Sequence, residues 1–502
     1  MNTSRILACA VAAAALSLGG CGGGGSGGGS GPTPKPPGPP TPPTPTPLQY
    51  SIGGTATGIS GPGLSLLDNG GDLLSISAAG PFVFPTLLSA GAAYDVTVST
   101  APPTLACTAT GASGTVAKAN VGNVAVACKA RTFTEAAANS AGGNSVSGQV
   151  AVAADGTIYF ATWSNVASTG SGGLYSLAPG ASTATLLHAF GGSTSDGGNP
   201  DGVELSPDGS TLYGVTSHWG THGTANAGGT LYSYSVATGT YTVLVNFGAT
   251  PSDGQIPFVP PIFGSDGMLY GTTSAGGTGG FGTAYRYDPA TGTYTDLYQF
   301  GGQPADGAAP FALIQDGPGV FYGASNSGGQ NNAGTVFKLT VSGNTATDTV
   351  LHSFGGTIGS QTDGSSSYGV VKATDGRLYG ATFSGGSNNL GVIYSLNTDG
   401  SGYTILHSFA GGTLDGGNSW GGVVQGTDGK IYGLTMIGGS ANTGTLWDMD
   451  LSGTFGIRHS FGANGQGSAP QNCPITMLPD GRIYGGTGPG GPGNNGTVWS
   501  YQ

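Results

Sequence analysis

Residues 131–502 are expected to form a seven-bladed β-propeller preceded by a small β-sandwich, so that the folded chain is all-β. Three observations predict this. An Asp-Gly-x-x-Tyr word recurs with its tyrosine at Tyr159, Tyr213, Tyr270, Tyr322, Tyr379, Tyr432 and Tyr484, about 54 residues apart, with small insertions in the second and fourth copies. Each copy holds four short apolar runs separated by Asp-Gly turns and glycine-rich loops, the pattern of four antiparallel strands. Finally, one strand word is missing after the last copy, and a substitute stands at the other end of the region.

Composition sets the frame. Glycine supplies 101 of 502 residues without a Gly-X-Y period, which excludes collagen, and charged residues are only 7%. Aromatics at 9% supply enough apolar surface to bury, which argues against disorder. The formal charge is −12, and no lysine or arginine cluster occurs, so nucleic acid is excluded as a partner.

The first segment, 1–20, reads as an address. Arg5 precedes the apolar run "ILACAVAAAALSL" (6–18), too short to span a bilayer. The run ends in "LGGC" at Cys21, which resembles the lipobox of bacterial lipoproteins; the alternative is an ordinary secretory signal cleaved nearby. The resemblance implies that Cys21 is acylated and anchors the protein to a membrane. Gly22 after the cysteine resembles lipoproteins sent to the outer membrane, on its periplasmic or cell-surface side. Residues 21–47 continue as a Gly/Ser coil and a proline-rich stretch, 32–47, expected to form a polyproline II stalk of roughly 50 Å.

Residues 48–130 alternate short apolar runs with Gly/Asn/Asp turns, as a β-sandwich does. Cys107 and Cys128 are the one plausible disulfide, and Cys473, in an apolar stretch, is left as a buried free thiol. The "SIGGT" opening and the late cysteine pair resemble small immunoglobulin-like repeats of bacterial surface lipoproteins. That resemblance implies a spacer or adhesion module without a site of its own.

From 131 onward the words repeat in order. In the fifth copy the strands are "YGVVKA", "RLYGATF", "GVIYSL" and "YTILHSF". One such unit cannot cover its own apolar faces, so units must stack and the ring must close. Seven tyrosine words stand against six of the "LHSF" type, and "KARTF" (129–133) sits where the missing strand would complete the last blade. The glycine after each tyrosine is expected to allow close packing between blades. The word set "LYGTT…GG…GTVY…LHSF" resembles the tandem Gloeo-Verruco repeats of bacterial exported proteins over about 131–502. The resemblance implies a secreted or anchored repeat protein and carries no catalytic residue. The first copy departs most, with "YFATW" for "YGTT".

Several residues are candidates for chemistry. His188, His352, His407 and His459 recur at one place, replaced by Asn246 and Gln299 in other copies, and read as outer-strand polar groups rather than ligands. Asp196, Asp253, Asp306, Asp363 and Asp415 follow them, each before a glycine. Turn chemistry explains them, and the functional alternative is a ring of carboxylates binding Ca²⁺ at a channel mouth. The long loops gather Trp163, His218, Trp219, His222, Phe281, Tyr368 and Trp420 on one face, where exposed aromatic rings suit sugar faces or peptides. His218 and His222, four apart, could share a transition metal, but no third ligand stands nearby.

Glu204 is one of two glutamates, the other being Glu135. No nucleophile elbow, HExxH or phosphate-cradling loop occurs. The reading is therefore a membrane-anchored binding or adhesion lipoprotein that takes a glycan or protein ligand on its loop face. The alternatives are a propeller lyase or hydrolase of polysaccharide or lactone using Glu204, His218 and His222, and a structural envelope component.

Overall fold

The recurrence of the tyrosine word has a local cause, visible in a computed structural model that describes residues 48–502 except 60, 101, 103–104, 138–143, 165–170, 192–195, 225–226, 304, 463–465, 471–473 and 492–494. Residues 1–20, Cys21, the linker to 47 and Cys473 lie outside the described residues. In the third copy, Asp266 Oδ1 accepts from the Met268 backbone N–H at 3.1 Å, and Oδ2 accepts from the Tyr270 hydroxyl at 2.7 Å. Asp375 with Arg377 and Tyr379, and Asp428 with Lys430 and Tyr432, repeat the arrangement. One side chain thus fixes the hairpin and orients the ring four residues on.

The glycine after the tyrosine works within a sheet, which corrects the expectation of a contact between blades. Gly271 lies directly across from Tyr285 of the third strand, and a Cβ there would come within 2.4 Å of the Tyr285 hydroxyl. Gly380 opposes Tyr394 and Gly433 opposes Trp447 in the same way. A bare backbone at this point lets the neighbouring strand's aromatic ring lie across the blade. The first copy has Phe160 instead, and it stacks on Tyr175 with centroids 5.5 Å apart. Every one of these third-strand aromatics, Tyr175 to Trp499, is at most 1% exposed. Truncating such a ring to alanine typically costs about 3–5 kcal/mol.

Seven sheets follow one another, the first six with their strands in sequential order: 144–189, 198–246, 262–299, 307–353, 361–408, 424–460 and 476–501, here blades 1 to 7. Blade 5 carries an extra short strand, Thr357–Ile358, and no helix occurs among the described residues. Blade 7 supplies only Thr476–Met477, Ile483–Gly486 and Thr497–Tyr501. Its fourth strand is Phe133–Ala137, antiparallel to Thr497–Tyr501. The ring is therefore closed by an N-terminal strand as expected, but that strand begins only at Phe133, the last residue of "KARTF", and runs on beyond it. Seven apolar clusters fill the seven interfaces; the one joining blade 7 to blade 1 packs Tyr484 and Val498 against Val146, Phe160 and Tyr175.

The repeated histidines complete the outer seam. His188 stacks on Tyr241 at 3.8 Å, His352 on Tyr403 at 3.8 Å, His407 on Phe455 at 4.2 Å and His459 on Phe133 at 3.5 Å. In each case the ring belongs to the fourth strand of the next blade.

Residues 48–130 form two four-stranded sheets over one core that includes Ile52, Leu66, Phe84 and Val126. Ile52–Thr57 and Val121–Ala130 run parallel, and Cys107 and Cys128, directly opposed on neighbouring strands, are joined by a disulfide. Leu48–Gln502 is one compact unit. Between sandwich and ring, the buried Arg131 donates from Nη1 to the Gly481 carbonyl at 3.0 Å, with Nη2 3.9 Å from Asp428 Oδ2. Both partners lie in Asp-Gly turns between first and second strands. The sandwich residues Thr97, Val98 and Thr108 share a cleft with Thr427 and Asp480 on this tight-turn face.

Candidate ligand-binding site

The site begins with an unusual backbone conformation repeated seven times. On the way into each blade, at or before its first strand, stands a non-glycine residue with positive φ: Ser145, Asn199, Ile256, Ala309, Ser366, Asn418 and Ala469, between 44° and 66°. Such a conformation is disfavoured for side chains, most of all for β-branched Ile256, so something must hold it. The hold comes from the preceding blade. The backbone N–H of Asn199 donates to the Ser171 carbonyl, Ile256 to Gly228, Ala309 to Phe281, Ser366 to Ala333, Asn418 to Leu390 and Ala469 to Thr443, all between 2.7 and 2.9 Å.

The residue two positions further on then points toward the axis. Around the ring this position reads Ser147, Asp201, Phe258, Phe311, Tyr368 and Trp420 for blades 1 to 6, while residue 471 of blade 7 lies outside the described residues. These six side chains line one cavity of about 300 Å³, together with Ser145, Trp163, Ser274 and Asn326. It opens on the long-loop face, opposite the Asp-Gly turns.

One half of the cavity is aromatic. Phe258 stacks on Phe311 with centroids 5.9 Å apart, Phe311 meets Tyr368 edge to face at 4.7 Å, and Tyr368 stacks on Trp420 at 5.7 Å. Phe383 braces Trp420 from behind at 5.9 Å. The Trp420 indole N–H is buried and has no hydrogen-bond partner, and burial pushes the Tyr368 phenol up to about 12. The other half is polar. Asp201 is fully buried and accepts from the Ser147 hydroxyl at 2.5 Å. Trp163, 43% exposed, stands at the lip, and the Asn199 side chain donates to its carbonyl at 2.9 Å.

The sequence-derived candidates divide. Trp163, Tyr368 and Trp420 come together here. Phe258, Phe311, Ser147 and Asp201 occupy the same column as Tyr368 and Trp420, but no sequence word marks them. Aligning the seven words at the positive-φ residue exposes that column. Phe281 is exposed elsewhere, on the blade 3 loop, and packs over Gly301. His218, Trp219 and His222 also stay outside the cavity. Trp219 is held with φ 65° by its backbone bonds to Thr224 and Gly229, His218 Nδ1 bonds the Ser217 hydroxyl at 2.9 Å, and His222 is exposed.

Glu204 does not join those histidines. It pairs across from Tyr213, five residues down the strand from His218, a separation of about 17 Å. Its carboxylate accepts from Gln149 Nε2 at 3.0 Å, and burial raises its pKa to about 7. The expected acid and its histidines thus sit at opposite ends of blade 2.

The recurring aspartates do not form a ring at the channel mouth. Asp196, Asp363 and Asp415 pair with His188, His352 and His407 at 3.0–3.3 Å. Asp306 accepts from the Tyr298 hydroxyl at 2.8 Å, and Asp253 accepts from Thr250. Each carboxylate is therefore engaged at the outer seam of its own blade. In the last linker Gln466 takes the aspartate's place beside His459. Among the described residues no three His, Cys, Asp or Glu side chains gather as a metal site.

No curated protein matches the chain. Among solved structures, the extracellular domain of a protein described as a one component system from B. thetaiotaomicron is 12% identical, with a TM-score of 0.44 over 73% of this chain and 39% of that one. The chain thus spans about two fifths of that domain. Virginiamycin B lyase from Staphylococcus aureus is 12% identical with a TM-score of 0.49, over 74% of this chain and 99% of the lyase. Oligogalacturonate lyase from Vibrio parahaemolyticus is 12% identical with a TM-score of 0.45, over 74% and 96%. None of these likenesses bears on activity. The Gloeobacter/Verrucomicrobia repeat matches residues 89–314, 219–365 and 309–502, which takes in every blade of the ring. On that footing the chain belongs to the Gloeobacter/Verrucomicrobia repeat family.

Proposed function

We propose that this protein is a binding protein of the cell envelope, anchored through a lipid on Cys21 and raised on its proline-rich stalk, that takes its ligand in the axial cavity. The observation that carries this reading is the single structural position that supplies Phe258, Phe311, Tyr368 and Trp420 on one side and Ser147 and Asp201 on the other. Small-ligand sites combine an apolar wall with a few fixed polar groups in a cavity of this size. A pyranose ring, or the side chain of an extended peptide, presents one flat apolar face and a polar edge, which suits such a division. The distance between Glu204 and His218 along blade 2 supports this reading over a lyase or hydrolase that would use both together.

The test is binding of the purified ectodomain, residues 48–502, to glycan and peptide arrays. Phe311→Ala combined with Trp420→Ala is expected to weaken every specific signal at least about tenfold, since stacking platforms lose roughly 1–3 kcal/mol per aromatic group removed. Trp219→Ala is expected to leave binding unchanged. Signals indifferent to the double variant would show that the cavity is not the site.

A further inference from the structure

The charge of the cavity wall narrows the ligand class, an inference that rests on the binding reading above. We infer that the cavity is selective for a ligand bearing an ammonium group, with Asp201 as counter-ion and the aromatic half-ring as its wall.

Three observations converge. Among the described residues lining the cavity there is one carboxylate, Asp201, and no lysine, arginine or histidine. None of those described residues can neutralise an anionic ligand, and the Asp201 side chain, fully buried at the strand entry, would repel one. Second, the Ser147 hydroxyl donates to one oxygen of that carboxylate at 2.5 Å, so two residues lining the cavity hold each other in place. Third, Phe258, Phe311, Tyr368 and Trp420 form an unbroken chain of ring contacts, from 4.7 to 5.9 Å between centroids, around the opposite wall.

Aromatic rings present a negative face, and several of them around a small cavity attract an ammonium group, more strongly as water is excluded. A carboxylate across from such a wall supplies the charge that a neutral sugar does not need. The whole molecule works in the same direction. A formal charge of −12 raises the local concentration of cations and lowers that of anions near the mouth. Acidic sugars and phosphate esters are thereby disfavoured, and amines and quaternary ammonium compounds favoured.

The experiment uses three probes of one shape: choline, its neutral isostere 3,3-dimethylbutan-1-ol, and the anion 3,3-dimethylbutanoate. Calorimetric titration of residues 48–502 is expected to rank them in that order, with choline at least about tenfold tighter than the alcohol, as cation–π attraction and a counter-ion together provide. Asp201→Asn is expected to remove most of that preference, while Trp420→Ala weakens choline and the alcohol together. Circular dichroism of each variant checks that the ring still folds, and Ser147→Ala, which removes that one hydrogen bond and keeps the carboxylate, is expected to lower the preference partway. Equal affinity for choline and the alcohol, with both lost in Trp420→Ala, would overturn the ammonium inference and leave the cavity as a binding site. Binding of any probe that ignores Trp420→Ala would overturn both.

Discussion

Single residues in this chain are constrained by backbone more than by side-chain chemistry. Gly282 has φ 95°, and a Cβ there would meet the Thr273 carbonyl at 2.1 Å and Pro310 of the next blade at 2.9 Å. That glycine heads the third strand in the "GTAY" word, so the word is written for steric reasons. The carboxyl of Glu204 illustrates the opposite case, a polar group tolerated at a cost. With its pKa raised to about 7, the folded chain holds a proton that the unfolded chain has released above about pH 4.5. Stability therefore falls as pH rises from about 4.5 to 7 and stays at the lower level above, a loss on the order of 3 kcal/mol. Glu204→Gln is expected to raise the denaturation midpoint at about pH 8 and to make no difference at about pH 4, as urea titrations at the two pH values would show. A midpoint raised equally at both would mean that the gain does not come from ionisation.

At the scale of elements, the seam between blades 6 and 7 decides whether the ring stays shut. The closing strand packs Phe133 against His459, Phe461 and Trp499. Burial lowers the His459 pKa to about 4. Below about pH 6.5 the unfolded imidazole takes up a proton that the folded one refuses, so the seam weakens as pH falls from there toward 4, by roughly 2 kcal/mol. Amide exchange in Phe133–Ala137 is expected to accelerate between about pH 7 and pH 5 beyond the intrinsic change. His459→Gln, which copies the natural Gln299 at the same place, is expected to abolish that excess. The strand was legible in sequence as a missing word, yet misplaced by four residues. Its own pattern, Thr132-Phe133-Thr134-Glu135, matches Thr293-Tyr294-Thr295-Asp296 at the start of another fourth strand and not the "LHSF" end used to find it. The cavity column was legible only at Tyr368 and Trp420, for a related reason. Its six described positions carry five residue types, and what they share is a positive φ two residues earlier, which leaves no fixed letter in the sequence.

For the whole molecule, the repeated words specified the ring, while the union of sandwich and ring rests on residues outside the repeats. Arg131 lies over the Tyr501 ring at 5.7 Å as well as reaching Gly481 and Asp428, which ties the sandwich side to blades 6 and 7. Removing it leaves the buried Asp428 with the Tyr432 hydroxyl as its side-chain partner. Breaking one side of a buried pair costs roughly 3–5 kcal/mol. Arg131→Ala is expected to lower the melting temperature and to increase the radius of gyration in small-angle scattering as the sandwich swings away. An unchanged scattering profile would show that the cleft contacts suffice to hold it.

The closing strand also sets how the molecule carries tension. Tension between the ring and the sandwich side runs along the length of Phe133–Ala137, whose five residue pairs with Thr497–Tyr501 then slide against one another in shear. Bonds stressed side by side yield together and not in succession, so the point where the chain from the sandwich enters the ring is also built to resist drag.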